Sequence, residues 1–467
     1  MEVLDVDVVA FGAGFAGMVS ACRAAKGGKK VAVLEKGTEE LYTCSSRWTT
    51  GVFSTLGNPT LSPVEHLEAV MTRAGHGTTR PELVRAIAEN ARRAHEFLKE
   101  EGVRFINYPT ATGQQLMLAP PRSRGEGLDW EGHGGDVSLR RLEKNLNSRG
   151  GQILRGTKAE SLIMENGACV GVNAMQAGGP LRVNAKAVVI ADGGYQANPE
   201  MVKQLLAPHP DRILLRAAPG GQGDGIRMAE AAGAAVGGFG KFYGHVHHRD
   251  AMTNNRLWPY PHFDAMAEFS MIVGADGRRF MDEGWGGVCQ ANAIAQLDDP
   301  LSATIIFDNA MWEGEPGKAR PTGVNPYLMA GGGWMHSAPD LASLAEKAGL
   351  PAAALEKTVR DYNEAVKSGR LADLVPARSI REHQPMPIAV APFHAVPLCA
   401  GLTLGMGGIA INAHAQALRA DGSIIPGLYV AGTPVQGLEG GPRAAYVGGL
   451  CKAFTLGLLA GEHIAGH

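Results

Sequence analysis

The segment Asp7–Gly17, DVVAFGAGFAG, constrains this chain more than any other. Four apolar residues run into G-x-G-x-x-G, and small apolar residues follow as a helix would begin. Glu35 closes the next apolar run, Val31–Leu34. Strand, glycine turn, helix and acid in that order are the fingerprint of a dinucleotide site. Gly12 allows the tight turn, Gly14 lets the backbone approach a pyrophosphate, and Gly17 lets helix and strand pack closely. The helix N-terminus offers N–H groups and the positive end of its dipole to phosphates. Glu35 stands where ribose hydroxyls would donate to it. The bland alternative is a glycine-rich turn in another α/β fold.

Length and charge narrow the class. A chain of 467 residues buries a large core and fits two or three domains. Its 44 basic and 46 acidic residues give a net charge of −2, which argues against nucleic-acid or anionic-membrane partners. The six cysteines are scattered with no C-x-x-C pair, so reduced thiols in a cytoplasmic protein are expected, and no metal site. No apolar run is long enough for a membrane span, and the acidic start, Met1–Asp5, lacks a signal peptide's basic region.

Along the chain, residues 63–101 carry helical periodicity, clearest at Leu83, Ile87, Ala91, Ala94 and Leu98. Gln152–Arg155 reads as a strand. Ser161–Met164 and Cys169–Val172, joined by Glu165-Asn166-Gly167, read as a hairpin. Ala187–Ala191 is a buried strand ending at Asp192-Gly193-Gly194. Residues 241–263 turn rich in His, Tyr, Trp, Asn and Arg. Strand-like pieces follow at Met271–Val273 and Ala303–Phe307, then two helices from about Leu341 to Lys367, then a Pro-rich connector over 372–397. The doubly wound character returns at Met406–Ile409 and Gly427–Gly432. The expected fold is α/β: a Rossmann-like nucleotide domain, residues 1–239 and 404–467, split by an inserted α+β capping domain, residues 240–403.

These pieces resemble the fumarate reductase/succinate dehydrogenase flavoprotein family, which includes ketosteroid and tricarballylate dehydrogenases. The resemblance runs through the N-terminal fingerprint, Val188–Gly194, Gly223–Ala229, Asp276–Glu283, Thr358–Asn363, Met406–Gly408, Gly427–Gly432 and the closing Gly448-Gly449 helix. It implies bound FAD between a flavin domain and a cap, with hydride moving between flavin N5 and a carbon beside a carbonyl or carboxylate. It also implies that the helix from Gly448-Gly449 faces the flavin N1–O2 edge, where its dipole favours negative charge. Relatives with covalent FAD carry a histidine in the loop after the second strand. Here Cys44–Trp48 has none, so noncovalent FAD is expected. The FAD-binding set carried over is Gly12, Gly14, Ala16, Gly17, Glu35, Lys36, Ser45, Ser46, Thr50, Gly51, Ala159, Asp192, Gly193, Gly432, Thr433, Gly448 and Gly449. Thr433 stands where many relatives have a glutamate.

The resemblance places His245 at the family's substrate-binding histidine, with a surface turn as the alternative for the cluster His245, His247 and His248. Arg443 falls near the arginine that clamps a carboxylate in fumarate-type members, and a salt bridge to Glu439 is its alternative role. Tyr446 lies near the tyrosine that binds the ketone in ketosteroid-type members. Two departures bear on chemistry. Gly284–Val288 lacks the proton-delivering arginine, and the relay's acid and arginine fall at about Phe263 and Met266. The second substrate histidine falls near Leu404, beside Thr403. Fumarate reduction is therefore disfavoured, and a base is needed instead. Tyr446 is the first candidate, then Tyr243, Tyr260 and His262, with Arg249 or Arg443 to lower a phenol's pKa. Trp258–Phe263 reads either as a pocket wall for an apolar substrate or as core packing. The expected activity is FAD-dependent desaturation of a C–C bond beside a carbonyl or carboxylate, with Tyr446, His245, Arg443 and Tyr243 at the site and an unknown electron acceptor. The alternatives are an ene reductase of an unsaturated acid and a non-catalytic flavin electron-transfer subunit.

Overall fold

The first strand, Glu2–Phe11, ends in Val8-Val9-Ala10-Phe11, all buried. A run that apolar needs cover on both faces, which a parallel sheet flanked by helices provides. The computed structural model, which describes residues 2–110, 113–119, 131–318 and 323–466, has that sheet. Its strand order is Gln416–Leu418, Ile424–Val430, Gly179–Ile190, Glu2–Phe11, Val31–Glu35 and Gln152–Arg155. The four inner pairings, from Ile424–Val430 to Gln152–Arg155, are parallel. The expected hairpin extends it: Lys158–Glu165 pairs antiparallel with Ala168–Gln176, which pairs with Gly179–Ile190.

Helix Phe15–Lys26 packs against the C-terminal helix Gly449–Gly466, and Phe15 meets Phe454 edge-to-face at 4.9 Å. The C-terminal helix buries residues all round its circumference, as a helix inside a core does. The periodic segment over 63–101 is two helices, Val64–Gly75 and Pro81–Glu100, separated where His76 turns left-handed at φ 46°. Pro81 opens the second helix, where its missing N–H costs nothing.

A second sheet is built on Phe393–Gly405. Phe242–His248, Thr304–Asp308 and His336–Ala338 pair with it antiparallel, and Met271–Val273 extends the sheet from Thr304–Asp308. Leu214–Leu215 joins it in parallel at Gly401–Leu402. The Pro-rich stretch expected as a connector therefore ends inside a strand: residues 393–397 pair with Thr304–Asp308 and 393–395 also with His336–Ala338, because these residues are largely buried and their backbone groups need partners. The two expected helices are Leu341–Ala348 and Ala352–Ser368. The motif Asp276–Glu283 is a scaffold element here. Buried Arg279 and Glu283 pair at 2.6 Å, and Glu283 accepts the Ile272 N–H at 3.1 Å.

One buried ion pair fixes the start of the C-terminal helix. Lys452 donates to Glu439, with side chains 1 % and 2 % exposed, and Glu439 also accepts the Val447 N–H at 3.1 Å. Removing one partner strands the other's charge away from water. Lys452→Met is expected to cost about 3–5 kcal/mol in urea unfolding, and Glu439→Gln combined with it to restore most of that loss. Unchanged stability in the single variant would show that Glu439 finds water or another cation.

Candidate functional site

The dinucleotide fingerprint forms as the sequence predicts. A Cβ on Gly12, which sits at φ 95°, would lie 2.4 Å from the Ala191 carbonyl oxygen, and one on Gly17 would lie 2.1 Å from that of Gly12. Neither position accepts a side chain, so strand ends and helix start close up here. Gly12, Gly193 and Gly432, all at positive φ, stand just past the ends of three adjacent parallel strands. Ligands of open α/β sheets bind at that carboxyl edge. Ala16 faces Gly432, and Thr433 faces Gly194.

Polar groups line the same edge. Glu35, buried, accepts the Ala13 N–H at 3.0 Å and the Gly37 N–H at 2.8 Å. Ser46 Oγ accepts the Phe15 N–H at 3.0 Å, over the helix start, and Ser45 Oγ accepts the Ala218 N–H at 3.3 Å. Gly51 sits at φ 89°, and the Thr50 side is exposed. This loop is anchored by Arg47, fully buried, which pairs with Asp136 and lies over the Tyr42 ring at 4.6 Å. Lys36 pairs with Asp224 at 3.5 Å, and Asp224 lines a cleft of about 460 Å³ with Ala159 and Arg227. Asp192 Oδ2 accepts the Gly225 N–H at 2.8 Å, while its Oδ1 is buried without a partner. An orphaned carboxylate oxygen in a glycine-lined crevice is a group awaiting a donor, and ribose or ribityl hydroxyls supply one. These residues fit a flavin dinucleotide.

A second set gathers beside it. Tyr243 and His245 alternate along Phe242–His248 and meet: His245 Nε2 and the Tyr243 hydroxyl are 2.9 Å apart. His245 Nδ1 lies 2.5 Å from Asp264 Oδ2. The carboxylate only accepts, so Nδ1 carries the proton, and in the neutral ring Nε2 accepts from Tyr243. Asp264 is held by the Val246 N–H at 2.9 Å, and His262 stacks on His245 at 4.4 Å. Burial opposes ionisation of Asp264, but His262 and His245 outweigh it and hold the carboxyl below the usual range. Among the described residues, His245, His262 and Asp264 form a cluster whose ligating atoms lie within 4.8 Å of one another. His247 and His248 are buried structural groups. Each faces a backbone carbonyl, Pro261 at 3.3 Å and Trp334 at 3.0 Å, and burial pushes both pKa values down.

Tyr446 stacks on Tyr243 at 3.6 Å, and its hydroxyl accepts the Gly449 N–H at 2.6 Å, at the helix start beside Gly448. Burial drives both phenols' pKa values up, only partly opposed by Arg216. These surroundings favour the neutral phenol at both Tyr446 and Tyr243, so a base at either position has to hand on its own proton, and Tyr243 has His245 to take it. Arg443 is exposed and lies over the Trp285 ring at 5.2 Å. Glu439, its alternative partner, pairs with Lys452 instead. Arg249 likewise acts on His248 rather than on the phenols.

The cation that does reach the phenols is Arg216, which the sequence reading missed. It follows Leu214–Leu215, and its Nη1 donates to Thr403 Oγ1 at 3.0 Å. Thr403 is the extra residue of a bulge, where pairing steps from Leu404 to Leu402 between Tyr243 and Gly244. Asp264, one residue past Phe263, also lies outside the expected set. Trp258 lines the set, edge-to-face with Trp48 at 5.6 Å.

A model of the FAD binding domain family matches residues 7–445. The chain is 28 % identical to the NADH:fumarate oxidoreductase of Klebsiella pneumoniae, over 98 % of this chain and 47 % of that protein, so it spans about half of that relative. It is 27 % identical to the urocanate reductase of Eggerthella lenta, over 99 % of this chain and 75 % of that one. The fold is similar to that of the 3-ketosteroid-Δ4-(5α)-dehydrogenase of Rhodococcus jostii, with a TM-score of 0.76 at 21 % identity, over 99 % and 97 % of the two chains.

Burial, with Asp224 adding to it, raises Asp192 from 3.8 to about 7. Between those values the unfolded carboxyl is ionised and the folded one is protonated, so stability falls as pH rises across the interval. In flavin-free protein, Asp192→Asn is expected to match wild type in thermal midpoint near pH 4 and to exceed it increasingly toward pH 7. A difference independent of pH would contradict this environment for Asp192.

Proposed function

Because the chain belongs to the FAD binding domain family, we propose that it is an FAD-dependent oxidoreductase acting on a C–C bond beside a carbonyl or carboxylate, in the direction of C=C reduction. The line Asp264–His245–Tyr243 carries this reading. FAD, held noncovalently because Cys44–Trp48 has no histidine to link it, supplies hydride transfer when bound. Tyr243, kept protonated by burial, donates to the carbon next to the oxygen-bearing group. His245, having taken a proton from solvent at Nε2, passes it to the Tyr243 oxygen and ends neutral with its remaining proton on Nδ1. Ionised Asp264 holds the ring in that tautomer and stabilises the imidazolium that precedes the transfer. The disfavoured reductase thus regains a proton source, built from a tyrosine and a histidine rather than an arginine. The fumarate oxidoreductase and urocanate reductase among its relatives support the same direction.

Desaturation is the second reading, favoured by one observation. With neutral His245 accepting from Tyr243, the same line takes a proton from carbon in a concerted shift. We place the protein in the cytoplasm, in keeping with six cysteines free of disulfides.

The test is anaerobic. Reduced holoenzyme mixed with a 2-enoic acid or an enone is expected to regain oxidised-flavin absorbance. Bleaching of oxidised enzyme by the saturated acid or ketone, without the converse, would overturn reduction in favour of desaturation. Tyr243→Phe is expected to slow the half-reaction about 10²–10⁴-fold with FAD content retained. Wild-type speed in that variant would remove Tyr243 from the proton path.

A further inference from the structure

We infer that Arg216, together with the indole N–H groups of Trp48 and Trp258, forms the anion subsite of this pocket and fixes the carboxylate or enolate oxygen of the substrate. The inference rests on the reading above and assigns to Arg216 the role that the resemblance implies for Arg443.

Three donors are buried here without an acceptor: Arg216 Nε, Trp48 Nε1 and Trp258 Nε1. They belong together. The Arg216 guanidinium lies 6.0 Å from the Trp258 ring centroid, and Trp258 meets Trp48 at 5.6 Å. The remaining Arg216 contacts are neutral: Thr403 Oγ1 at 3.0 Å and the Pro259 carbonyl at 3.3 Å. Among the described residues no carboxylate forms an ion pair with it. A half-buried guanidinium with no carboxylate partner among the described residues and with its Nε–H buried and unused is stabilised by an anionic ligand. Orphaned buried donors in native proteins are uncommon, and three on side chains that touch in turn, Arg216 to Trp258 and Trp258 to Trp48, mark a place where an acceptor is missing.

The backbone holds the arginine there. Arg216 N–H donates to the Leu402 carbonyl at 2.7 Å, and the bulge at Thr403 turns that hydroxyl onto Nη1. The Tyr260 ring flanks the guanidinium at 5.9 Å. The subsite therefore joins a positive fork to flat aromatic walls, which suits a planar acid better than a flexible one. Arg216 is also the cation that reaches Tyr243 and Tyr446. An oxygen held on it sits beside the group that moves the proton.

The test reads binding without turnover. Oxidised holoenzyme is titrated with 3-phenylpropanoate and with its neutral isostere 3-phenylpropanamide, following the flavin absorbance change. The acid is expected to bind at least tenfold more tightly than the amide. Arg216→Leu is expected to weaken the acid about 100-fold and leave the amide nearly unchanged. Arg216→Lys, which keeps the charge without the fork, is expected to fall between. Trp258→Phe, which removes the indole N–H and shrinks the ring, is expected to weaken the acid several-fold and the amide less. The inference is overturned if wild type binds neither probe or does not separate them. It is also overturned if Arg216→Leu binds the acid as wild type does. Loss of FAD from both Arg216 variants would overturn it too, placing the arginine on the cofactor. Because no probe needs to react, a wrong direction of catalysis leaves this result standing.

Discussion

The hydrogen bond from His245 to Asp264 is the contact on which the chemistry of this protein depends. A carboxylate largely withdrawn from water is costly, and here two imidazoles and the Val246 N–H offset that cost. In return the carboxylate fixes which ring nitrogen carries the proton. That choice points the free lone pair at Tyr243 and makes the phenol the working end of the line. Without Asp264 the ring is free to change tautomer, and Tyr243 loses its defined partner.

The two sheets divide the labour. The parallel sheet brings three strand ends and their glycines to one edge, where small residues and a dipole suit a dinucleotide. The second sheet carries charge and aromatic rings to a neighbouring point on the strand Phe242–His248. The start of the C-terminal helix joins them: Gly448 and Gly449 begin it, Tyr446 lies against both the helix N–H and Tyr243, and the pair Glu439–Lys452 holds the turn.

What was legible in the sequence is what is local. Asp7–Gly17 and Glu35 announce their strand, turn and helix because steric limits on a few consecutive residues decide them. Tyr243 and His245 are legible for a similar reason: a strand places residues two apart on one side. Arg443 and Tyr446 differ by less than one helical turn, and the sequence alone does not say which of them faces inward. The left-handed Ala444, at φ 46°, lies between them in the turn that separates them. Asp264 lies one residue past Phe263, and nothing local in the sequence marks it as the partner of His245, which the fold brings to it. Arg216 had no local signal. It reaches the site because Leu214–Leu215 pairs with a strand almost two hundred residues on, and because a bulge there turns Thr403 toward it.

The central claim is that Tyr243 holds its proton at working pH, with His245 behind it. Carbon-13 labelling of the tyrosine ring Cζ in the holoenzyme measures this directly, with Tyr243 assigned by loss of its signal in Tyr243→Phe. Exposed Tyr327, 60 % accessible, serves as the internal reference. Tyr243 is predicted to remain a phenol through about pH 10, where an ordinary tyrosine titrates. A tyrosinate signal for Tyr243 at neutral pH would contradict the account.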